Sequence, residues 1–92
     1  MIIWDEDKNS KLKLERDISF EEISDMILNH HYIDILENTS RPNQNIFIIP
    51  LKDYIYAVPF LIDDDSNIIL KTAYPSRKFY QKYRGDLWQI LS

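Results

Sequence analysis

Between Lys71 and Arg84 the chain carries five cationic side chains and no acid: Lys71, Arg77, Lys78, Lys82 and Arg84. Charge of one sign gathered in so short a segment attracts oxyanions over about a Debye length, roughly 8–10 Å. Spacing sharpens the point. Arg77, Gln81 and Arg84 stand at i, i+4 and i+7, one face of a helix. A guanidinium near that helix's start can add a bidentate fork to the free N–H groups of the first turn and so hold a phosphate. Lys71 precedes the helix closely enough to share such a cleft. Tyr80 and Tyr83 can stack a base or release a phenolic proton. Plainer readings stand beside these. Arg77 can pair with a carboxylate from the acidic first half, Lys71 can be a solvated gatekeeper on a sheet edge, and Phe79 with Tyr83 at i, i+4 can be a core pair.

Two other groupings invite chemistry. His30-His31 with Asp34 offers imidazoles that titrate near neutrality or ligate metal. Adjacent residues point in different directions, however, no third ligand is placed to help, and histidine is a common partner of a helix C-terminus. Asp63-Asp64-Asp65-Ser66-Asn67 resembles a calcium loop but lacks its central glycine and bidentate glutamate. A solvated turn is expected there, and no metal or other cofactor is expected anywhere in the chain.

Ninety-two residues with 45% hydrophobic content allow one core and no second domain. The absence of cysteine excludes disulfides and thiolate metal sites and suits a reducing compartment. Met1-Ile2-Ile3-Trp4 followed by Asp5-Glu6-Asp7 lacks the pattern of a signal peptide and no apolar run reaches a membrane span, so a cytoplasmic protein is expected. The net charge of −4 weighs mildly against nucleic acid as a partner. It is unevenly spread: residues 1–40 hold ten acids against four bases, residues 41–92 seven bases against five acids.

The elements that must position these groups follow from periodicity and caps. Ile2–Trp4 reads as a short edge strand, and Asp5 as the N-cap of a polar helix to about Arg16. Ser19-Phe20-Glu21-Glu22 reads as a capping box for a helix with Phe20, Ile23, Met26 and Ile27 on one face, ending near residues 29–31. A period of two then predicts strands over 32–37, 46–51, 54–62 and 68–74, with Lys52-Asp53 as a two-residue hairpin turn. Pro50 and Pro59 must sit at bulges or face an unpaired edge, having no N–H to give a ladder. Ser76 is the expected N-cap of a last helix over 77–84, Gly85 its stop, and 86–92 a short tail whose Leu87, Trp88 and Leu91 can pack back on the domain.

Trp4-Asp5 followed by Lys8, then Ser19-Phe20-Glu21-Glu22 ahead of the strand run, then Ser76-Arg77-Lys78 entering a basic helix with Tyr83, resembles the BrnT family of type II toxins. The resemblance covers residues 3–84. It implies a RelE-like α+β fold over residues 1–92, with a four-stranded, mainly antiparallel sheet packed by N-terminal helices and one C-terminal helix. It also implies metal-independent cleavage of mRNA that halts translation, and neutralisation by an antitoxin protein through which alone operator DNA is contacted. Metal-free RNA cleavage needs a base near the ribose 2′-OH, an acid near the leaving 5′-oxygen and a cation for the charge at phosphorus. On that reading Arg77, Lys71, Tyr80 and Tyr83 are the catalytic candidates, and Lys78, Gln81, Lys82 and Arg84 hold RNA. The alternative is a non-catalytic binding module of the same shape, a degenerate toxin.

Overall fold

The computed structural model describes residues 1–91, with side chains through Gly85. The chain is α+β, and its elements run β1 (Ile2–Ile3), α1 (Glu6–Arg16), α2 (Phe20–Leu28), β2 (Asp34–Glu37), β3 (Asn45–Leu51), β4 (Tyr54–Ile62), β5 (Ile68–Leu70), β6 (Tyr74–Pro75) and α3 (Arg77–Leu91). The sheet is six-stranded and mixed, ordered β1-β5-β4-β3-β2, with β6 on the same edge of β4 as β5. It is therefore not the four-stranded antiparallel sheet expected from sequence. The two-residue β1 runs parallel to β5, and the expected strand over 68–74 is split in two.

The split has a cause in Pro59. Lys71 N–H donates to the Pro59 carbonyl at 2.9 Å, which places the two residues opposite each other as a hydrogen-bonded antiparallel pair. Such a pair exchanges two bonds, and proline can supply only one. The ladder stops there and resumes at β6, where Tyr74 faces Ala57. Pro50 pairs with Ile55, and alternation from the Lys52-Asp53 turn turns its nitrogen away from β4, to where β2 has already ended. That turn has φ of 55° and 58° at its two residues, the left-handed pair that a tight hairpin requires.

Caps fix the helices. Asp5 accepts from the N–H groups of Asp7 and Lys8, and Ser19 accepts from Glu22 N–H at 3.1 Å. Ile18 and Ile23, at the N′ and N4 positions of α2, enter the same core cluster, as a hydrophobic staple does. At the other end His30 adopts φ 58°, its N–H donating to Ile27 and that of His31 to Met26, so the two histidines form a Schellman stop. In α3, Ser76 Oγ accepts from Phe79 N–H at 3.2 Å as expected. The expected stop at Gly85 does not occur: the helix runs to Leu91, because nothing from Asp86 onward is a proline or other breaker and Gly85 has ordinary negative φ. The packing expected of Leu87, Trp88 and Leu91 falls outside the described side chains.

The pleat sends alternate residues of β3 and β4 to opposite faces. Phe47, Ile49, Tyr56, Val58 and Phe60 meet Leu12, Ile18, Phe20, Ile23 and Ile27 of the α1–α2 layer. Ile46, Ile48, Ile55 and Ala57 point the other way, under Phe79, Tyr80 and Tyr83 of α3.

Candidate nucleic-acid interface

Stopping the ladder at Pro59 leaves the Lys71 carbonyl without the N–H that a non-proline residue would have brought. Lys8 Nζ from α1 takes that place, donating to Lys71 O at 3.1 Å. A cation from the first helix is thereby drawn around the sheet edge to the gap between β5 and β6. Beside it lies a cleft of about 440 Å³ lined by Lys8, Arg41, Lys71 and Tyr74, with Asn38, Ser40, Gln44 and Thr72 as neutral donors and Pro59 of β4 also in its wall. No Asp or Glu among the described residues lines it.

Arg41 reaches the cleft on a compact loop. Asn38 N–H bonds Gln44 O, Arg41 N–H bonds Asn38 O, Gln44 N–H bonds Arg41 O, and Asn38 Oδ1 accepts from Ser40 N–H at 3.1 Å. A loop tied by four of its own bonds holds its side chains at lower entropic cost than a free one. A second, smaller depression on the α1 side of residues 72–74 shares Lys8, Thr72 and Tyr74 and adds Lys11, Arg16 and the carboxylate of Glu15. The segment Lys71–Tyr74 thus runs between two hollows edged by cations.

The expected site on α3 takes a different form. Phe79, Tyr80 and Tyr83 turn down onto the sheet, which sends Arg77, Lys78, Gln81, Lys82 and Arg84 outward, all exposed. At 100° per residue, Arg77, Gln81 and Arg84 fall within a 60° arc, so they are not splayed. Lys78 Nζ lies 5.5 Å from the Phe79 ring centre and Lys82 Nζ 5.2 Å from that of Tyr83. The two ion pairs among the described residues, Lys13–Glu21 and Lys52–Asp17, involve none of the cations from 71 to 84. Lys71 does not share a cleft with α3: no described residue of that helix lines the hollow it occupies.

The two tyrosines differ. Tyr83 is 7% exposed and its hydroxyl donates to Asp34 Oδ2 at 2.9 Å, tying α3 to β2. Tyr80 stacks on Tyr54 at 4.5 Å with an interplanar angle of 15° and is half-buried. Asp34, grouped with His30-His31 in the sequence, is thus engaged by α3 instead. No three His, Cys, Asp or Glu among the described residues are disposed to hold a metal. In the 63–67 turn, Asp63 accepts from Asp65 N–H, Asn67 N–H and the Asn67 amide, and these bonds, that of Asn67 N–H foremost, hold its carboxyl below the usual range.

A larger hollow of about 900 Å³ opens on the opposite face, edged by Trp4, Ile27, Tyr32, Phe47, Phe60 and Ile68. Among the described residues its wall has no Lys, Arg, Asp or Glu and is mostly apolar, with His30, Asn45 and Ser66 among its polar members. Neither Arg41 nor Lys8 stands among the site residues expected from spacing. The available signal was Pro59 inside a strand run, which marks the carbonyl that must look elsewhere for a donor. No helix among the described residues is long and apolar enough to cross a membrane. No protein-family model, curated protein or solved structure matches the chain significantly.

Proposed function

We propose that this chain is a BrnT-like toxin of a type II toxin–antitoxin pair: a cytoplasmic, metal-independent mRNA endoribonuclease on a RelE-like domain. One observation supports the reading above the others. The cations of residues 71–84 are exposed or half-exposed, and none of them has a carboxylate partner among the described residues. An unneutralised field of that kind favours a polyanion and grows more negative-seeking where it lines a concavity.

In this reading Arg77 offsets the charge that builds on the phosphorus oxygens as the ribose 2′-oxygen attacks, and Lys71, which lines a hollow apart from α3, holds the RNA backbone farther along the strand. Tyr80, whose hydroxyl has no hydrogen-bond partner among the described residues, is the available phenolic proton donor or base platform. Tyr83, a catalytic candidate from the sequence, becomes a positioning residue in this reading, because its hydroxyl donates to Asp34. Lys78, Gln81, Lys82 and Arg84 hold the RNA backbone, and the antitoxin silences the protein by covering that face. Operator DNA is then met only through the antitoxin.

A second reading, a non-catalytic binding module that docks an acidic partner, is favoured by the use of both tyrosine rings in packing and by the lack of His, Asp or Glu among the described residues of the cationic cleft. Induction separates the two. The toxin, expressed alone, stops growth and degrades mRNA, and Arg77→Ala restores growth while its circular dichroism stays native. Harmless expression of both forms at equal soluble levels selects the binding module.

A further inference from the structure

We infer that the cleft of Lys8, Arg41, Lys71 and Tyr74 seats a single nucleotide of a single-stranded RNA, with the phosphate against the three cations and the base against the Tyr74 ring. The inference rests on the RNA reading above and names the subsite that reading lacks. Three cations arrive there from three separate elements: α1, the 38–44 loop and the β5–β6 break. Like charges that converge repel, and among the described residues the cleft wall offers them no carboxylate: its other polar residues are Asn38, Ser40, Gln44, Thr72 and Tyr74, and only Lys8 is partly compensated, by the Lys71 carbonyl. Each of these can donate to phosphate or ribose oxygens, and a phosphate is the ligand that relieves the repulsion.

Size and shape agree. About 440 Å³ lies in the range of roughly 300–1,000 Å³ typical of small-ligand pockets, enough for one nucleotide and not for a duplex. Tyr74 is 39% exposed and edges both hollows, so an aromatic face is available beside the cations. A phosphate grip next to an aromatic platform is how unpaired bases are commonly held. Lys8 is the least free of the three cations, being pinned to the Lys71 carbonyl, and one ammonium donor spent there leaves two for the ligand. The seat is thus partly organised before anything binds.

The test uses the full chain with uridine 5′-monophosphate, inorganic phosphate and a fluorescein-labelled oligouridylate. Amide NMR with the monophosphate is expected to shift residues 38–44 and 71–74. Phosphate alone should move the residues around Lys8, Arg41 and Lys71 but not the Tyr74 ring signals. In anisotropy titrations, Lys8→Met, Arg41→Met and Lys71→Met should each weaken RNA binding about five- to tenfold and flatten the salt dependence by about 0.7 per cation removed. Tyr74→Leu should cost about tenfold while Tyr74→Phe restores binding, since the ring and not the hydroxyl carries the stacking. Fold retention is read from circular dichroism of each variant. Shifts confined to α3, or RNA binding unchanged in all four cleft variants, overturn the seat and leave the toxin reading standing. Monophosphate binding in the cleft by a protein that never cleaves RNA does the reverse.

Discussion

On the face of the sheet under α1 and α2, Phe47 stacks on Phe60 at 4.2 Å, Phe20, Ile23, Ile49 and Val58 are fully buried, and the chain's one fully buried polar side chain among the described residues, Asn9, has both ends of its amide satisfied. Under α3 the other face is thinner and more polar. It is covered by Phe79, Tyr80 and Tyr83, closed at one end by the Tyr83–Asp34 bond, and ends in the cationic cleft beside Pro59. Burial against two helices stabilises the first face; the second gives up some of that burial and keeps cations together without neutralisation. Most of the packed core lies on the first side of the sheet and the proposed RNA contacts on the second, so each can be perturbed while the other is read.

The largest expected effect is on the covered face. Phe20→Ala removes a side chain with no exposed surface from the middle of that layer, and should cost about 3–5 kcal/mol in chemical denaturation. That is a large share of the total for so small a domain, so RNA binding should disappear only in step with unfolding. Asn9→Ala should come next. It deprives the Phe20 N–H of an acceptor at 2.8 Å, which costs about 1–3 kcal/mol for a buried donor. It also removes the amide that, more than any other group, holds the Glu21 carboxyl below its usual range. A carboxylate depressed in the folded state adds stability above its unfolded value near 4.3 that fades as pH falls through the folded value. In Asn9→Ala the Glu21 titration should therefore move up toward the ordinary glutamate value, and the acid-side decline in stability should become shallower. Carbon-detected NMR titration reads this directly, and an unmoved Glu21 would count against the Asn9 link.

How legible these two faces were differs for a physical reason. The covered face rests on local signals: Asp5 and Ser19 as caps, the Phe20–Ile23–Ile27 stripe and the Lys52-Asp53 turn are each written within a few residues, and each took the expected form. The cationic cleft depends on residues far apart in sequence. Lys8 and Lys71 are 63 positions apart and are joined only because Pro59 cannot donate. Arg77, Gln81 and Arg84, by contrast, could be read as one face from spacing alone. What spacing could not tell was that Tyr83 would turn inward to Asp34, or that the strand after residue 67 would break at Lys71 rather than run to Tyr74. Periodicity reports the face on which a residue lies but not the partner waiting across the sheet.

The smallest effect probes the second face through the helix that covers it. The sequence places Gly85 as the stop of α3, a position that commonly takes a left-handed conformation, and it lies instead within the helix, where an added Cβ meets nothing within 4 Å. The two conformations predict opposite signs for one substitution. In a continuing helix, Gly85→Ala removes backbone freedom from the unfolded chain and adds a better helix former, raising stability by about 0.5–1 kcal/mol. At a left-handed stop the same methyl would be strained and the variant would lose stability by a similar amount. Thermal or urea melts of the single variant therefore decide whether α3 runs past residue 85. A stabilised Gly85→Ala with unchanged RNA affinity would further show that the cover over this face can be firmed without touching the cations it presents.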